Sequence, residues 1–339
     1  MSKTILIIGG TGLIGKTIAE KLSQRDSSLN ILIGTRKKES KPNYLSLDVN
    51  DPNTFEILNN HPIDLMVVCT KDTNNTVLEY AVKNNINYID VTKPTNELIK
   101  AHHFIENKVI ESKIVFSSGW MGGIVPLLLF SKNVTANDIK NLTVYVYYST
   151  KDKAGESSAD FMAENVNTSF SFYQDNVEMR TKHFLNTENH VFDFDGQKRK
   201  VFDFDVPDLY ILHKIEKIPS VKVKLTFDSK LITAALAIMQ KINFFKLLNF
   251  KERKLIFGGS GNGDISSFEI VFTTHKSTRE KVALKCLKGQ SELTAFSTVL
   301  HIEKLLQNPI QNGVYCSHQL HNPKEFIAAL TSNKNIIIG

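Results

Sequence analysis

The chain has 339 residues, 42% hydrophobic and 22% charged. That is enough apolar material for two ordinary domain cores, and it excludes disordered, collagenous and small disulfide-scaffold classes. The formal charge of +6, from 41 Lys and Arg against 35 Asp and Glu, is dispersed along the chain, so nucleic acid is not an expected partner and a phosphate-bearing small molecule is.

From Thr4 to Ser118 short apolar runs alternate with amphipathic ones, the pattern of a parallel sheet flanked by helices. The expected strands are Thr4 to Ile8, Asn30 to Gly34, Tyr44 to Leu47, Ile63 to Cys69, Tyr88 to Val91 and Lys113 to Ser117. Ile5-Leu6-Ile7-Ile8 and Leu65-Met66-Val67-Val68 are continuously apolar, which suits strands buried on both faces. Helices are expected where Ile14, Ile18, Ala19 and Leu22, and later Val77, Leu78, Ala81 and Val82, share a face. Another opens at Asn50 with Asp51 and Pro52 in its first turn. Lys37 to Asn43 is too short for a helical crossover, so the second connection is expected to lack its helix. Six strands then make a doubly wound sheet.

After Pro126 the texture turns strand-rich: Leu142 to Thr150, His190 to Asp195, Val201 to Val206, Val221 to Phe227, Ser266 to Thr274 and Lys281 to Leu287. This predicts an inserted second domain, mainly β with a mixed sheet. Val191-Phe192-Asp193-Phe194-Asp195 recurs as Val201-Phe202-Asp203-Phe204-Asp205 around Gly196, and the two copies are expected to pair as a hairpin. Alternation would put four phenylalanines on one face and four solvated aspartates on the other. Lys230 to Phe250 reads as one helix, apolar nearly all round, suited to a subunit or domain interface, plain core, or a lipid-like substrate channel. Helices are expected at about Ser291 to Leu306 and Pro323 to Ser332. The apolar Ile336-Ile337-Ile338 should dock back on the first domain. The expected division is 1–122 with about 288–339 for the nucleotide-binding domain and 123–287 for substrate binding and dimerisation.

Gly9-Gly10-Thr11-Gly12-Leu13-Ile14-Gly15 follows the first strand and opens the first helix, satisfying GxGxxG from Gly10. The glycines allow a tight turn, close approach of backbone to a pyrophosphate, and close helix–strand packing. The helix start offers free N–H groups and the positive end of its dipole. Where an acidic residue would bind the ribose of NAD, the second strand ends Gly34-Thr35-Arg36-Lys37-Lys38. Arg36 can pair with a 2′-phosphate, Thr35 can donate and Lys37 adds charge, so NADP(H) is the expected cofactor. Strand order places Asp48 and Val49 toward the adenine, and Cys69, Thr70 and Lys71 toward the nicotinamide half.

The Gly9 to Gly15 turn with Thr35-Arg36, the run Asn85 to Thr92, Gly119-Trp120-Met121-Gly122-Gly123-Ile124-Val125-Pro126, Gly289 to Ala295, Gly313-Val314-Tyr315 and Asn322 to Phe326 occur in an order that resembles the saccharopine dehydrogenase-like oxidoreductases over nearly the full length. The resemblance implies an NADP-binding Rossmann domain and an inserted mixed-sheet domain that often forms the dimer. It also implies hydride transfer between nicotinamide and a carbon bearing nitrogen. Where such enzymes carry a glycine-hydrophobe-Asp-Pro-Gly turn and a further Asp, this chain has Met121, Gly122 and Val125. The acidic contacts to a substrate ammonium are missing, which points away from saccharopine itself.

Hydride transfer needs positioning and a proton donor or cation near the atom that gains charge. Candidates gather after the fourth and fifth strands: Lys71, Asp72, Asp90, Thr92 and Lys93. Lys93 would polarise a carbonyl or imine, or lie on the surface. Trp120 would wall the nicotinamide pocket or pack between domains, with Met121, Gly122 and Gly123 beside it. No histidine pair has metal-ligand spacing with an acid nearby, so no metal is expected. Cys69, Cys286 and Cys316 lack CxxC spacing, and no apolar run reaches the ~18 to 20 residues of a membrane span. With a first strand already at Thr4, a reduced, cytoplasmic setting without a membrane partner is expected. Gly258 to Gly263 suggests a mobile loop or a linker rather than a second phosphate site. Two rivals stay open: a short-chain-dehydrogenase relative, whose Tyr-x-x-x-Lys is matched only by Tyr210 and Lys214, and a non-catalytic NADP(H) sensor.

Overall fold

The computed structural model describes residues 2–37, 39–152, 155–258, 261, 263–307 and 309–339, with backbone alone at position 156. In chain order the first elements are β1 (Thr4–Ile8), α1 (Leu13–Arg25), β2 (Asn30–Thr35), β3 (Tyr44–Ser46), β4 (Leu65–Val68), α2 (Thr76–Lys83), β5 (Asn87–Asp90), α3 (Thr95–Ile105) and β6 (Lys113–Phe116). Then come α4 (Ile124–Phe130), β7 (Ile139–Tyr148), α5 (Glu156–Asn165), β8 (Phe170–Gln174), β9 (Val177–Thr181), β10 (Glu188–Val191), β11 (Lys198–Asp203), α6 (Asp208–Tyr210) and β12 (Ser220–Phe227). The chain closes with α7 (Lys230–Lys241), α8 (Phe250–Phe257), β13 (Ser266–Thr274), β14 (Arg279–Cys286), α9 (Gly289–Gln307), β15 (Gly313–Cys316), α10 (Pro323–Thr331) and β16 (Ile336–Ile338). Two compact units result: Met1–Ile124 with Thr294–Asn322, and Val125–Leu293 with Pro323–Gly339.

The first unit is a wholly parallel sheet of order β15-β6-β5-β4-β1-β2-β3. Its order reverses between β1 and β4, the switch point of a doubly wound fold. Ile5 to Ile8 and Leu65 to Val68 are all but fully buried, as their unbroken apolar runs require in a sheet covered on both faces. The six expected strands are present, and β15 adds a seventh beside β6. The helix expected from Asn50 is a 3-10 segment, Pro52–Asn60. Asp51 stands just outside it as the cap, accepting from the Asn53 N–H. Among the described residues between Thr35 and Tyr44 there is no helix, in keeping with a connection too short to hold one.

The second unit holds a mixed sheet of order β10-β11-β12-β7-β13-β14-β16, with β8 joined to β12 and β9 to β8. Among the described residues of this unit only the β12–β7 pair is parallel. Three expectations change here. Ile336–Ile338 pairs with β14 in this second sheet, Leu284 opposite Ile338, and so does not dock on the first unit. The repeated Val-Phe-Asp-Phe-Asp segments do form one hairpin, but out of register: Val201 lies opposite Glu188 and Val191 opposite Lys198. The first copy supplies the turn through Gly196 (φ +66°), while the second runs on to pair with β12. Asp193 and Asp195 are exposed, but Asp203 and Asp205 are buried. Asp203 accepts from Lys224 Nζ and Asn186 Nδ2, each at 2.7 Å, because its strand is covered by neighbours where the first copy's is not.

The third change is the long apolar helix, which breaks at Asn243 (φ +58°) into α7, a 3-10 turn Phe244–Lys246, and α8. Asparagine tolerates the left-handed backbone that ends a helix. Of the glycine-rich Gly258 to Gly263 stretch, Gly259, Ser260 and Asn262 lie outside the described residues. The Gly263 N–H donates to Lys151 O at 3.3 Å. No helix among the described residues is long and apolar enough to cross a membrane. None of their His, Cys, Asp and Glu side chains group in threes to hold a metal ion.

Candidate functional site

The site is built at the carboxyl ends of β1, β2, β4 and β5, in the first unit. β1 runs into Gly9, whose φ of +78° suits a residue without a side chain. A Cβ at Gly9 would stand 2.9 Å from Thr70 Cβ, and one at Gly15 2.6 Å from Gly9 O and 2.7 Å from Gly10 Cα. With Cys69 O also 3.1 Å from the Cβ position at Gly9, the end of β4, the turn and α1 pack too closely for side chains at Gly9 and Gly15, as a pyrophosphate cradle needs. Gly12 caps α1 without a side-chain bond, no acid occupies the helix's first turn, and Thr11 and Gly12 are exposed while Leu13 and Ile14 are half-buried. The positive end of the helix is thus left to solvent, which fits a dinucleotide's phosphates.

Thr35 ends β2 with its Oγ1 3.5 Å from Thr11 Oγ1 and accepting from the Lys37 N–H at 3.3 Å. Arg36 and Lys37 are exposed; Lys38 lies outside the described residues. Asp48 is half-buried, and its Oδ1 accepts from the Asn50 N–H at 2.9 Å, fixing the turn after β3; Val49 is buried beneath it. Cys69 is buried beside Asp90, and burial pushes its thiol up to about 12, so it stays neutral at physiological pH. Thr70 gives its carbonyl to Thr92 Oγ1 at 2.9 Å, and Lys71 reaches Glu97 Oε1 at 3.9 Å.

The expected catalytic candidates separate. Lys71 stays partly exposed, whereas Lys93 and Asp90 are buried, at 3% and 0% exposure. Lys93 Nζ donates to Asn75 Oδ1 at 2.8 Å and to Asp72 O at 3.0 Å, and stands 3.9 Å from Asp72 Oδ2. Asp72 Oδ1 accepts from the Thr76 N–H at 2.8 Å and so caps α2. Asp90 accepts from Ser118 Oγ and, at 3.2 Å, from Tyr88 OH. Burial raises the Asp72 carboxyl above its ordinary value and lifts Asp90 to about 6, against the opposing pull of Lys93. Burial makes both carboxyls bind a proton more readily than a free carboxylate, and Lys93 only partly offsets it. Lys93 is thus turned inward behind the strand ends, paired with groups of the chain itself.

Met121, Gly122 and Gly123 form a left-handed run, φ +52°, +78° and +76°, after β6. All three are buried, and Trp120 is half-buried. The Gly122 carbonyl accepts from Ser117 Oγ at 3.0 Å and from His301 Nε2 at 2.9 Å; Met121 O accepts from Ser297 Oγ at 2.9 Å. A carbonyl only accepts, so His301 carries its proton on Nε2, and His321 Nε2 donates to His301 Nδ1 at 2.8 Å. Burial keeps both rings neutral, lowering His301 to about 4 and His321 further. Asn75, Ser118, Ser297 and His301 escaped the sequence argument. Only Asp72, four residues before Thr76 at a helix start, carried a local capping signal; the others meet through strand order and α9. Tyr210 and Lys214 lie on one helical stretch of the second unit, while the glycine turn belongs to the first.

A parallel doubly wound sheet with this turn at its switch point, followed by a mixed-sheet unit, defines the class: a Rossmann-type fold with a second, mixed-sheet unit. Among solved structures the chain is similar to apo saccharopine dehydrogenase (L-Glu forming) from Saccharomyces cerevisiae. The TM-score is 0.68 at 12% identity, over 100% of this chain and 99% of that one, a likeness of fold. A mutant meso-dapdh from Clostridium tetani E88 gives 0.49 at 13% identity over 96% and 95% of the two chains. Dihydrodipicolinate reductase from Paenisporosarcina sp. TG-14 gives 0.46 at 12% over 95% and 100%. No protein-family model and no curated protein matches the sequence.

Proposed function

We propose that the protein is an NADPH-dependent oxidoreductase of the saccharopine dehydrogenase-like type, reducing a C=N or C=O group of a small metabolite. The observation that carries this is the pairing of the Gly9 to Gly15 cradle with an exposed Arg36 at the end of β2, where no carboxylate stands. Thr35 and Arg36 would hold a 2′-phosphate, and the open start of α1 the pyrophosphate. A nicotinamide held there would supply the hydride. Around it the chain's own residues exclude water and orient: Gly9 and Thr70 set the depth of the cradle, and Cys69 stays a neutral wall. The buried Lys93, Asp72 and Asp90 cluster would fix the loops after β4 and β5 behind the cradle. The fold-level likeness to a saccharopine dehydrogenase supports an imine substrate, and the absence of acids at Met121, Gly122 and Val125 supports one other than saccharopine.

One observation favours a second reading, a non-catalytic NADP(H) sensor: Lys93 is committed to Asn75 and Asp72 and is not presented to a ligand. Fluorescence titration with NADPH and NADH, on the wild type and Arg36→Ala, tests the cofactor. Charge-assisted contacts are worth ~1.5 to 3 kcal/mol, so NADPH should bind roughly tenfold to a hundredfold tighter and the variant should erase most of that gap. Equal binding of the two nucleotides would refute the assignment. NADPH oxidation with paired amines and oxo acids then separates enzyme from sensor.

A further inference from the structure

We propose that the outward face of α7, the 3-10 turn after it and α8 is a docking surface for an anionic lipid bilayer. In a surface helix the apolar stripe faces the core and the polar residues face water. α7 is built the other way round. Its buried positions are Thr233, Leu236 and Gln240, the polar two being satisfied within the second unit: Thr233 Oγ1 accepts from the Phe227 N–H and Gln240 Nε2 donates to Val166 O. Outward stand Leu231 at 84% exposure, Ile238 at 60% and Ile242 at 65%, continued by Leu247 at 79% and Leu255 at 82%. More than half of the exposed large apolar side chains among the described residues fall between Leu231 and Ile256. A patch so concentrated marks a surface that is covered in use.

Charge selects the cover. Between Asp228 and Glu252 there is no acidic residue, and the charged side chains there are Lys230, Lys241, Lys246 and Lys251, all exposed. A two-fold contact between copies would bring this surface against its own copy, with Glu252 as the one acid against six basic residues between Lys230 and Phe257. A bilayer carrying anionic headgroups accepts both features: the apolar side chains enter the acyl boundary and the lysine stems reach up to the headgroups. The helices lie on such a surface, since none is long enough to span it. This proposal departs from the sequence-based expectation of no membrane partner and is independent of the cofactor assignment.

The test is co-sedimentation of the full chain with phosphatidylcholine vesicles, with and without phosphatidylserine, at low and high salt. The protein should pellet with the anionic vesicles and be released by salt. Lys241→Gln and Lys246→Gln should each lower the partition about fivefold. Leu231→Glu combined with Ile238→Glu should lower it more than tenfold. Unchanged urea midpoints would show that these exposed substitutions leave the fold intact. Wild-type protein left in the supernatant, or pelleting that ignores all four substitutions, overturns the proposal. A concentration-dependent dimer in sedimentation velocity, dissolved by Leu231→Glu with Ile238→Glu while vesicles go unbound, would assign the face to a second copy instead.

Discussion

The buried carboxylate at the end of β5 gives the sharpest test of the site's electrostatics. Asp90 is wholly buried and shares Lys93 with Asp72; its carboxyl rises from 3.8 to about 6. Between those values the folded protein binds a proton that the unfolded chain does not. Stability from this group is therefore fully present below the unfolded value and is lost as pH rises through 6. A shift of that size corresponds to about 3 kcal/mol, most of it lost between about pH 4 and pH 7. Asp90→Asn keeps the side chain's shape and an acceptor for Ser118 or Tyr88 but removes the titration. Urea unfolding of both proteins across this range follows the group, since the titrations remote from the cluster are common to both and Asp72 is the neighbouring carboxyl the substitution also moves. The wild type should lose about 2 to 3 kcal/mol relative to the variant as pH rises. Parallel stability curves would refute the reasoning, and a wild type that gains on the variant would reverse its sign.

Gly15→Ala should lower both stability and NADPH affinity: the new methyl meets Gly9 O and Gly10 Cα, backbone that cannot step aside. Overpacking of about 1 to 3 kcal/mol exceeds the ~1 kcal/mol that alanine returns as helix propensity. A thermal melt and a nucleotide titration would both have to be unchanged for this to fail. His301→Leu removes the donor to Gly122 O and the acceptor for His321. Gly122 O keeps Ser117 Oγ as a donor, so the loss is that of the two hydrogen bonds, about 0.5 to 1.5 kcal/mol each, and the urea midpoint should fall; a midpoint at the wild-type value would show that these bonds are not needed. Arg25→Ala breaks a two-point contact between α1 and Glu303, at 2.5 and 2.9 Å, with side chains 39% and 22% exposed. About 1 kcal/mol or less should be lost, and the difference should shrink at high salt. A salt-independent loss would point instead to the packing of Arg25 over Phe296.

The amino-acid sequence by itself determined the features that local rules write. The apolar runs at Ile5 and Leu65 could only be strands buried on both faces, and the spacing of Gly9, Gly12 and Gly15 after the first of them could only be a tight strand-to-helix turn. Thr35-Arg36-Lys37 put positive charge where β2 ends, and the brief Lys37 to Asn43 link left no room for a helix. Tertiary structure alone decided what depends on which strands are neighbours. Asp90 and Ser118 meet because β5 lies beside β6, and Lys93 turns inward because Asp72 and Asn75 wait after β4. Ile336–Ile338 pairs with β14 because an apolar strand docks on whichever open edge accepts its register, and periodicity does not name that edge. The same limit explains the two Val-Phe-Asp-Phe-Asp copies. Alternation fixed which residues share a face, but burial of Asp203 and exposure of Asp193 followed from the neighbours each strand acquired. On α7 the sequence showed that apolar residues ring the helix, and only packing showed that Thr233 and Gln240 point in while Leu231 and Ile238 point out.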